Sequence, residues 1–299
     1  MQLNRANLNS VFTAVSTRFL RAYNAQRDDA WRRFVQVERM ETDRLEMPFL
    51  EQITGMREWT DARVVQNLRA ECLTVTSRRF ELTYGIPRTA IEDDTYGVYG
   101  SLFESMAVQA ANLPEDIITE LIEKAAAAEW VDGKKFFSAD RKYGKATIAN
   151  TTSAALSRDS FKAAYDAMTA YRGHGGTPLK VRPTVLVHGP ALRWTVKALF
   201  DNPQAEQGTA GAVLPNDLHN IVDHVEMPGI TGGKWLLLQD SAPYRPVVYF
   251  DRIAPDRLVR RDREEDANVF DQDQFLYGCR GRGGAAFVLP HLAYLGNPA

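Results

Sequence analysis

An α+β fold is predicted for this 299-residue chain, on three observations. Apolar residues recur every three or four positions over residues 6–25 and again from Val98 to Trp130, the period of a helix with one buried stripe. They alternate with polar residues around Leu73 and Val75 and around Phe80, Leu82 and Tyr84, the period of a strand. Between Pro178 and Asn202 a short apolar strand, Val185-Leu186-Val187, ends at Gly189-Pro190 and gives way to a helix carrying Leu192, Val196, Leu199 and Phe200.

Composition narrows the class. The chain is 44% hydrophobic and 25% charged, ordinary for a globular protein, with a formal net charge of −2. That balance lacks the basic excess of a protein that clamps nucleic acid. No apolar run reaches the 18 or more residues of a membrane span, and Met1-Gln2-Leu3-Asn4-Arg5 lacks the core of a signal peptide. Two cysteines far apart, Cys72 and Cys279, read as packing residues in a reducing compartment.

In chain order, Leu8, Val11, Phe12, Val15, Phe19 and Tyr23 form one stripe of the first helix. Residues 1–39 hold seven arginines, no lysine and three acidic residues. This segment is either a terminal helix packed on its own domain or an arm docked on a neighbour; the residues alone leave both open. Residues 40–90 read as a long antiparallel ribbon, one apolar side running through Leu73, Val75, Phe80, Leu82 and Tyr84, with Ser77-Arg78-Arg79 between the two runs. A lone two-stranded ribbon is marginal in water, so it requires another surface.

Pro114 should kink or split the helix of 98–130, with Glu115 and Asp116 suited to a second start. Val131 to Lys135 forms a turn into a strand at Phe136-Phe137, and Ser157 caps a helix over 158–171 with Phe161, Ala164, Tyr165 and Met168 inward. Gly173-His174-Gly175-Gly176 marks a boundary before a compact α/β unit over 177–247. Strands return at Pro246–Phe250, Phe275–Tyr277 and Ala286–Leu289.

Catalytic constellations are missing. Gly281-Arg282-Gly283-Gly284 does not complete a dinucleotide fingerprint, and neither a Walker-type loop nor a Gly-x-Ser-x-Gly elbow occurs. His219 and His224, five apart, would occupy different faces of a helix and make no zinc pair; Glu92-Asp93-Asp94 reads as a solvated turn and His174 as a loop residue. No cofactor, catalytic residue or metal ligand is assigned.

Several segments resemble the Hong Kong-97-type major capsid proteins of tailed bacteriophages, and most closely the major head subunit of Mu-like phages, the gpT family. They are Pro183 to Phe200, Trp235 to Asp240, the Ser157 helix, and the set Arg57-Glu58-Trp59, Phe80-Glu81-Leu82-Thr83 and Ile91-Glu92-Asp93-Asp94 followed by Tyr96-Gly97. The match runs over residues 40–295 in the family's order. Where many relatives carry His-Pro after the Phe-Phe strand, this chain has Asp140-Arg141.

The resemblance implies an N-terminal arm (1–39), an extended β-hairpin loop (40–90), a peripheral domain with a long spine helix (91–172), an axial domain (173–247) and return strands of the peripheral domain (248–299). It implies a shell of hexamers and pentamers around double-stranded DNA held by weak, non-specific contact. A separate scaffold protein, a portal and a decorating protein are the implied partners, with assembly in the bacterial host cytoplasm and no membrane.

The family's prototype cross-links through a loop lysine; here no lysine precedes Lys124. The segment Asp251 to Asp273 carries eight acidic residues and five arginines, a pattern that can set register between subunits. Candidate inter-subunit contacts are Phe12, Phe19, Trp59, Phe80, Leu82, Tyr84, Arg257, Arg260, Arg261 and Arg263. An encapsulin-like compartment and an α/β enzyme with a scattered site are the alternatives.

Overall fold

The computed structural model describes residues 5–25, 30–50, 70–93, 98–143, 146–173, 176–206, 213–241 and 245–298. Its helices are α1 (Arg5–Ala25), α2 (Arg88–Glu92), α3 (Val98–Ala111), α4 (Leu113–Glu123), α5 (Arg158–Thr169), α6 (Arg193–Val196) and α7 (Ala267–Gln272). The first eight strands are β1 (Val35–Arg39), β2 (Arg44–Leu50), β3 (Ala70–Thr76), β4 (Arg78–Pro87), β5 (Arg141–Tyr143), β6 (Ala146–Ile148), β7 (Thr151–Thr152) and β8 (Val185–His188). The remaining eight are β9 (Gln204–Glu206), β10 (Val213–Pro215), β11 (Asp223–Glu226), β12 (Trp235–Leu238), β13 (Val247–Ile253), β14 (Val259–Arg261), β15 (Gln274–Phe287) and β16 (Ala293–Gly296).

Two five-stranded sheets carry the molecule. The first runs β1-β13-β15-β14, with β4 also paired to β15; the second runs β11-β8-β12-β16-β7. Strands β8, β12 and β16 are buried on both faces, which is why they read as continuous apolar runs. One face, with Leu186, Trp235, Leu237 and Tyr294, lies under Phe161 and Met168 of α5 and under Val196 and Phe200. The other, with Val185, Val187, Leu236, Leu238 and Leu295, packs on Ile117, Ile118 and Ile122 of α4 and on Val247, Tyr249 and Phe287 of the first sheet. That shared layer is the main core.

Local chemistry explains the helix ends. Ser157 and Ser160 form a reciprocal capping box at α5, each hydroxyl accepting the other's backbone N–H, at 3.2 and 2.8 Å. The 98–130 pattern splits at Asn112, and Pro114 sits in the first turn of α4, where its missing N–H leaves no bond unmade. After α6 the chain winds wider over Lys197–Asp201. Close approach dictates glycine at Gly296, where a Cβ would stand 2.0 Å from Cε2 of Trp235.

Several expectations need correction. The two runs 73–75 and 80–84 do not pair with each other. The ribbon is β2 against β3, Arg44 opposite Thr76 through Leu50 opposite Ala70. After Ser77, whose N–H donates to the Asp43 carbonyl, the chain leaves it and β4 joins ten successive residues of β15. The part of 40–90 that begins at Arg78 therefore lies on the chain's own sheet, with Ile86 fully buried. Ala70–Thr76 and Arg78–Pro87 share an alternation but not a partner, and alternation reports only the former.

Phe136-Phe137 is a bend held by one bridge, Glu129 to Lys135, rather than a strand. Its two rings instead pack on Phe287, Phe136 stacked at 5.0 Å between centroids and Phe137 edge-on at 5.1 Å. The separate runs at Phe275 and Ala286 are one strand, β15. The last strand, β16, pairs with β12 in the second sheet and not with the other returning strands.

Candidate assembly surfaces

The apolar stripe of α1 is covered by the chain itself. Phe19 is completely buried with Phe103, Met106 and Ala107 of α3 and with Ile86 and Tyr277, while Leu8, Phe12, Val15 and Tyr23 pack around it. The open choice at this helix resolves for Phe19: it is a core residue with no surface left for a neighbour.

Arg260 on β14 ties the start of α1 down. Its guanidinium lies 4.3 Å from the Phe12 ring centroid, donates to the Leu8 carbonyl at 3.1 Å and to the Asn9 side chain, and pairs with Asp262 at 3.1 Å. Asp262 is 3% exposed, and burial pushes its carboxyl above the usual range even though Arg260 and the Tyr277 hydroxyl favour its charged form. Arg260 thus works inside the subunit, as a clamp.

Along β4, Phe80, Leu82 and Tyr84 are half-buried and face the body. Phe80 joins the main core with Arg78 over its ring at 5.2 Å, and Leu82 and Tyr84 pack beside Phe19's cluster. The base of the ribbon is anchored: Leu45, Leu73 and Val75 rest on Met40, Val248, Phe250 and Val288. Trp59, Asp94, Tyr96, Gly97 and His174 lie outside the described residues.

Arg257, Arg261 and Arg263 are exposed. Beyond them, residues 264–273 hold five acidic residues and no basic one, and in their midst Phe270 on α7 is 85% exposed. Trp194 on α6 is 74% exposed. Neither was singled out from sequence. Their signal was there to read: Trp194 falls off the Leu192–Val196–Phe200 stripe, and Phe270 stands among carboxylates.

A shallow groove runs between α4 and the edge of the first sheet, lined by Thr76, Ile117, Leu121, Ala128, Gly284 and Ala285. Glu120 at its rim is bound by both Arg78 and Lys124, at 2.6 Å each, and those two hydrogen bonds hold its carboxyl down at about 2. No group of three or more histidine, cysteine or acidic side chains among the described residues is arranged to hold a metal ion. No described helix is long and apolar enough to cross a membrane. Cys279 is buried and unpaired, its thiol pushed up to about 11 by burial.

A family model for the Mu-like prophage major head subunit gpT matches residues 8–155, 141–230 and 216–298. The chain is 24% identical over 232 residues to the major capsid protein of Escherichia phage Mu, covering 78% of this chain and 54% of that one. It is 21% identical over 247 residues to the Mu-like prophage FluMu major head subunit of Haemophilus influenzae, covering 82% and 59%. The chain therefore spans little more than half the length of these curated relatives.

Among solved structures, the procapsid of bacteriophage JBD30 shares 23% identity and a TM-score of 0.59 over 99% of this chain and 77% of that one. The capsid of a native GTA particle shares 12% and 0.57 over 90% of each chain. At those identities the likeness establishes the fold: the mixed helix-and-sheet Hong Kong-97-type capsid architecture. With a family model matched from residue 8 to residue 298, the chain belongs to the Mu-like prophage major head subunit gpT family.

Proposed function

We propose that this chain is the tile of a phage head, assembling into hexamers and pentamers of an icosahedral shell that encloses double-stranded DNA. The family match across both sheets carries the reading. The ribbon of β2 and β3 supports it, since a two-stranded element is marginal in water without a further surface to lie on.

In this reading α1 belongs to the arm (1–39), the ribbon to the loop (40–90), α3 and α4 to the spine of the peripheral domain (91–172) and β8 to β12 to the axial domain (173–247), with 248–299 returning. Phe12, Phe80, Leu82, Tyr84, Trp59 and the exposed Arg257, Arg261 and Arg263 stay as candidate contacts. With no lysine before Lys124, shell strength comes from noncovalent contacts or a decorating protein, not from a loop cross-link. A scaffold protein and a portal are its other partners, and the host cytoplasm its place of assembly. Relatives that are head and capsid proteins set the enzyme alternative aside.

The test is electron microscopy of the purified chain, alone and with the products of its neighbouring genes. Rings or shells holding nuclease-resistant DNA are the expected result; a chain that stays monomeric at high concentration overturns it. A cellular compartment is the second reading, favoured by the likeness to a virus-like particle from Pyrococcus furiosus (14% identity, TM-score 0.52, 96% of this chain and 99% of that one). Shells filled with a cargo protein and free of DNA would select it.

A further inference from the structure

Four arginines crowd one place on the first sheet. Arg79 of β4 and Arg282 of β15 are register partners, Arg280 lies two residues along β15, and Arg252 lies at the bulge of β13 where Ile253 meets Arg282. Arg79 and Arg280 are exposed, and Arg252 and Arg282 half-buried. Partial burial, added to repulsion from the other three, pulls the Arg282 guanidinium below its ordinary range.

Little offsets them within the chain. Arg282 donates to the Ser77 hydroxyl at 3.1 Å, yet its Nε and the Nη1 of Arg252 are buried without a partner. Of the nearby carboxylates, Asp43 reaches Arg282 only through space, and Glu81, opposite Arg280, accepts from Thr83 at 2.6 Å. Buried donors without acceptors carry a desolvation penalty that a carboxylate would relieve.

The same chain presents the complementary surface. Residues 264–273 set the exposed Phe270 among Glu264, Glu265, Asp266, Asp271 and Asp273 in sequence, with Glu264 4.0 Å from Arg88 and no basic residue within the segment itself. An aromatic anchor inside a charged rim is the anatomy of a binding hot spot. This knob lies at the start of β15 and the arginines near its middle, about 20–25 Å apart by strand rise.

We infer that the Arg79/Arg252/Arg280/Arg282 cluster of one copy receives the acidic knob 264–273 of the next. The inference rests on the shell reading above and names one of its contacts. Opposite patches at different places on one chain pair head to tail, the heterologous geometry that closes rings, and their charges reject a flipped neighbour.

The experiment is a charge swap in the full chain, read by sedimentation and negative-stain microscopy. Arg79→Glu with Arg280→Glu should raise the concentration needed for assembly about tenfold or more. Glu264→Lys with Glu265→Lys should do the same, and the four changes in one chain should restore assembly. All four positions are exposed, and the one intrachain ion pair among them, Glu264 with Arg88 at 4.0 Å, is a surface pair of small weight, so the fold should hold. If the arginine reversal nevertheless folds poorly, Arg79→Gln with Arg280→Gln gives the same ordering at smaller amplitude.

Normal assembly of the arginine-reversed chain overturns the inference, as does failure of the combined swap to restore it. Intact assembly with lost DNA retention also overturns it and assigns the cluster to phosphate. A wild-type chain that forms no oligomer at all fails the shell reading itself, and the contact falls with it.

Discussion

Asn150 shows how one side chain can join distant parts of a chain. It is fully buried between β6 and β7, and its side-chain amide donates to the carbonyls of Phe136 at 3.1 Å and Pro290 at 3.0 Å while its Oδ1 accepts from the Ser138 N–H at 2.8 Å. Its own backbone carbonyl accepts from Leu295 in β16. Asn150→Ala would leave three buried backbone groups unpaired, so about 3 kcal/mol of stability should go, measured by urea unfolding of the unassembled chain. A loss under about 1 kcal/mol would mean that water replaces the amide. Nothing in the Thr-Ile-Ala-Asn-Thr-Thr context distinguishes this asparagine from a loop residue, because its partners lie up to 140 positions away. Phe270 was legible in principle, being the one large apolar residue of an acidic stretch, whereas Arg282's isolation depends on strands that meet only in the fold.

Among the elements, α1 is tethered by two different devices. Phe19 provides apolar burial against α3, and Arg260 provides the ring contact and hydrogen bonds at the helix's first half. Removing the second alone, with Arg260→Ala, should release that half: its amides should exchange with solvent about tenfold faster or more while β13 and β15 keep their protection. Unchanged exchange in α1 would assign its docking to Phe19 alone. Helical elements were the more readable part of the sequence, because period and caps are local; α1 and α5 end within a residue or two of the predicted places. Strand partnership was not readable in the same way. The Phe80-Leu82-Tyr84 alternation identifies β4 as a strand but carries no mark of β15, nearly 200 residues on. The ribbon's first strand, β2, contains Pro48, a residue that demotes a strand reading.

For the whole molecule, titration gives a signed expectation. Burial pulls His188 below its ordinary value and His291 down to about 4, so the folded chain refuses protons that the unfolded chain accepts below about 6.5. That contribution to stability is complete above 6.5 and is lost as pH falls toward the folded values, at up to about 1.4 kcal/mol per pH unit for each histidine. Glu120, Glu123 and Glu226 add a second loss below about 4.5, since their partners hold them low. Asp116, Asp251 and Asp262, pushed up by burial, act in the opposite sense. Between pH 6.5 and 5 the histidines dominate. Melting temperature should therefore fall across that interval, and His291→Gln should flatten the fall; an unchanged profile would remove His291 from the account.

The pairing of β4 with β15 has a mechanical consequence. Ten consecutive residues of each strand face one another, Gln274 opposite Pro87 through Gly283 opposite Arg78. A stretching force directed along these strands would load the ladder in shear, so its bonds would have to yield together and not one after another as in a zipper. The subunit itself would thus be stiffest to a pull along this axis and softer to one across it.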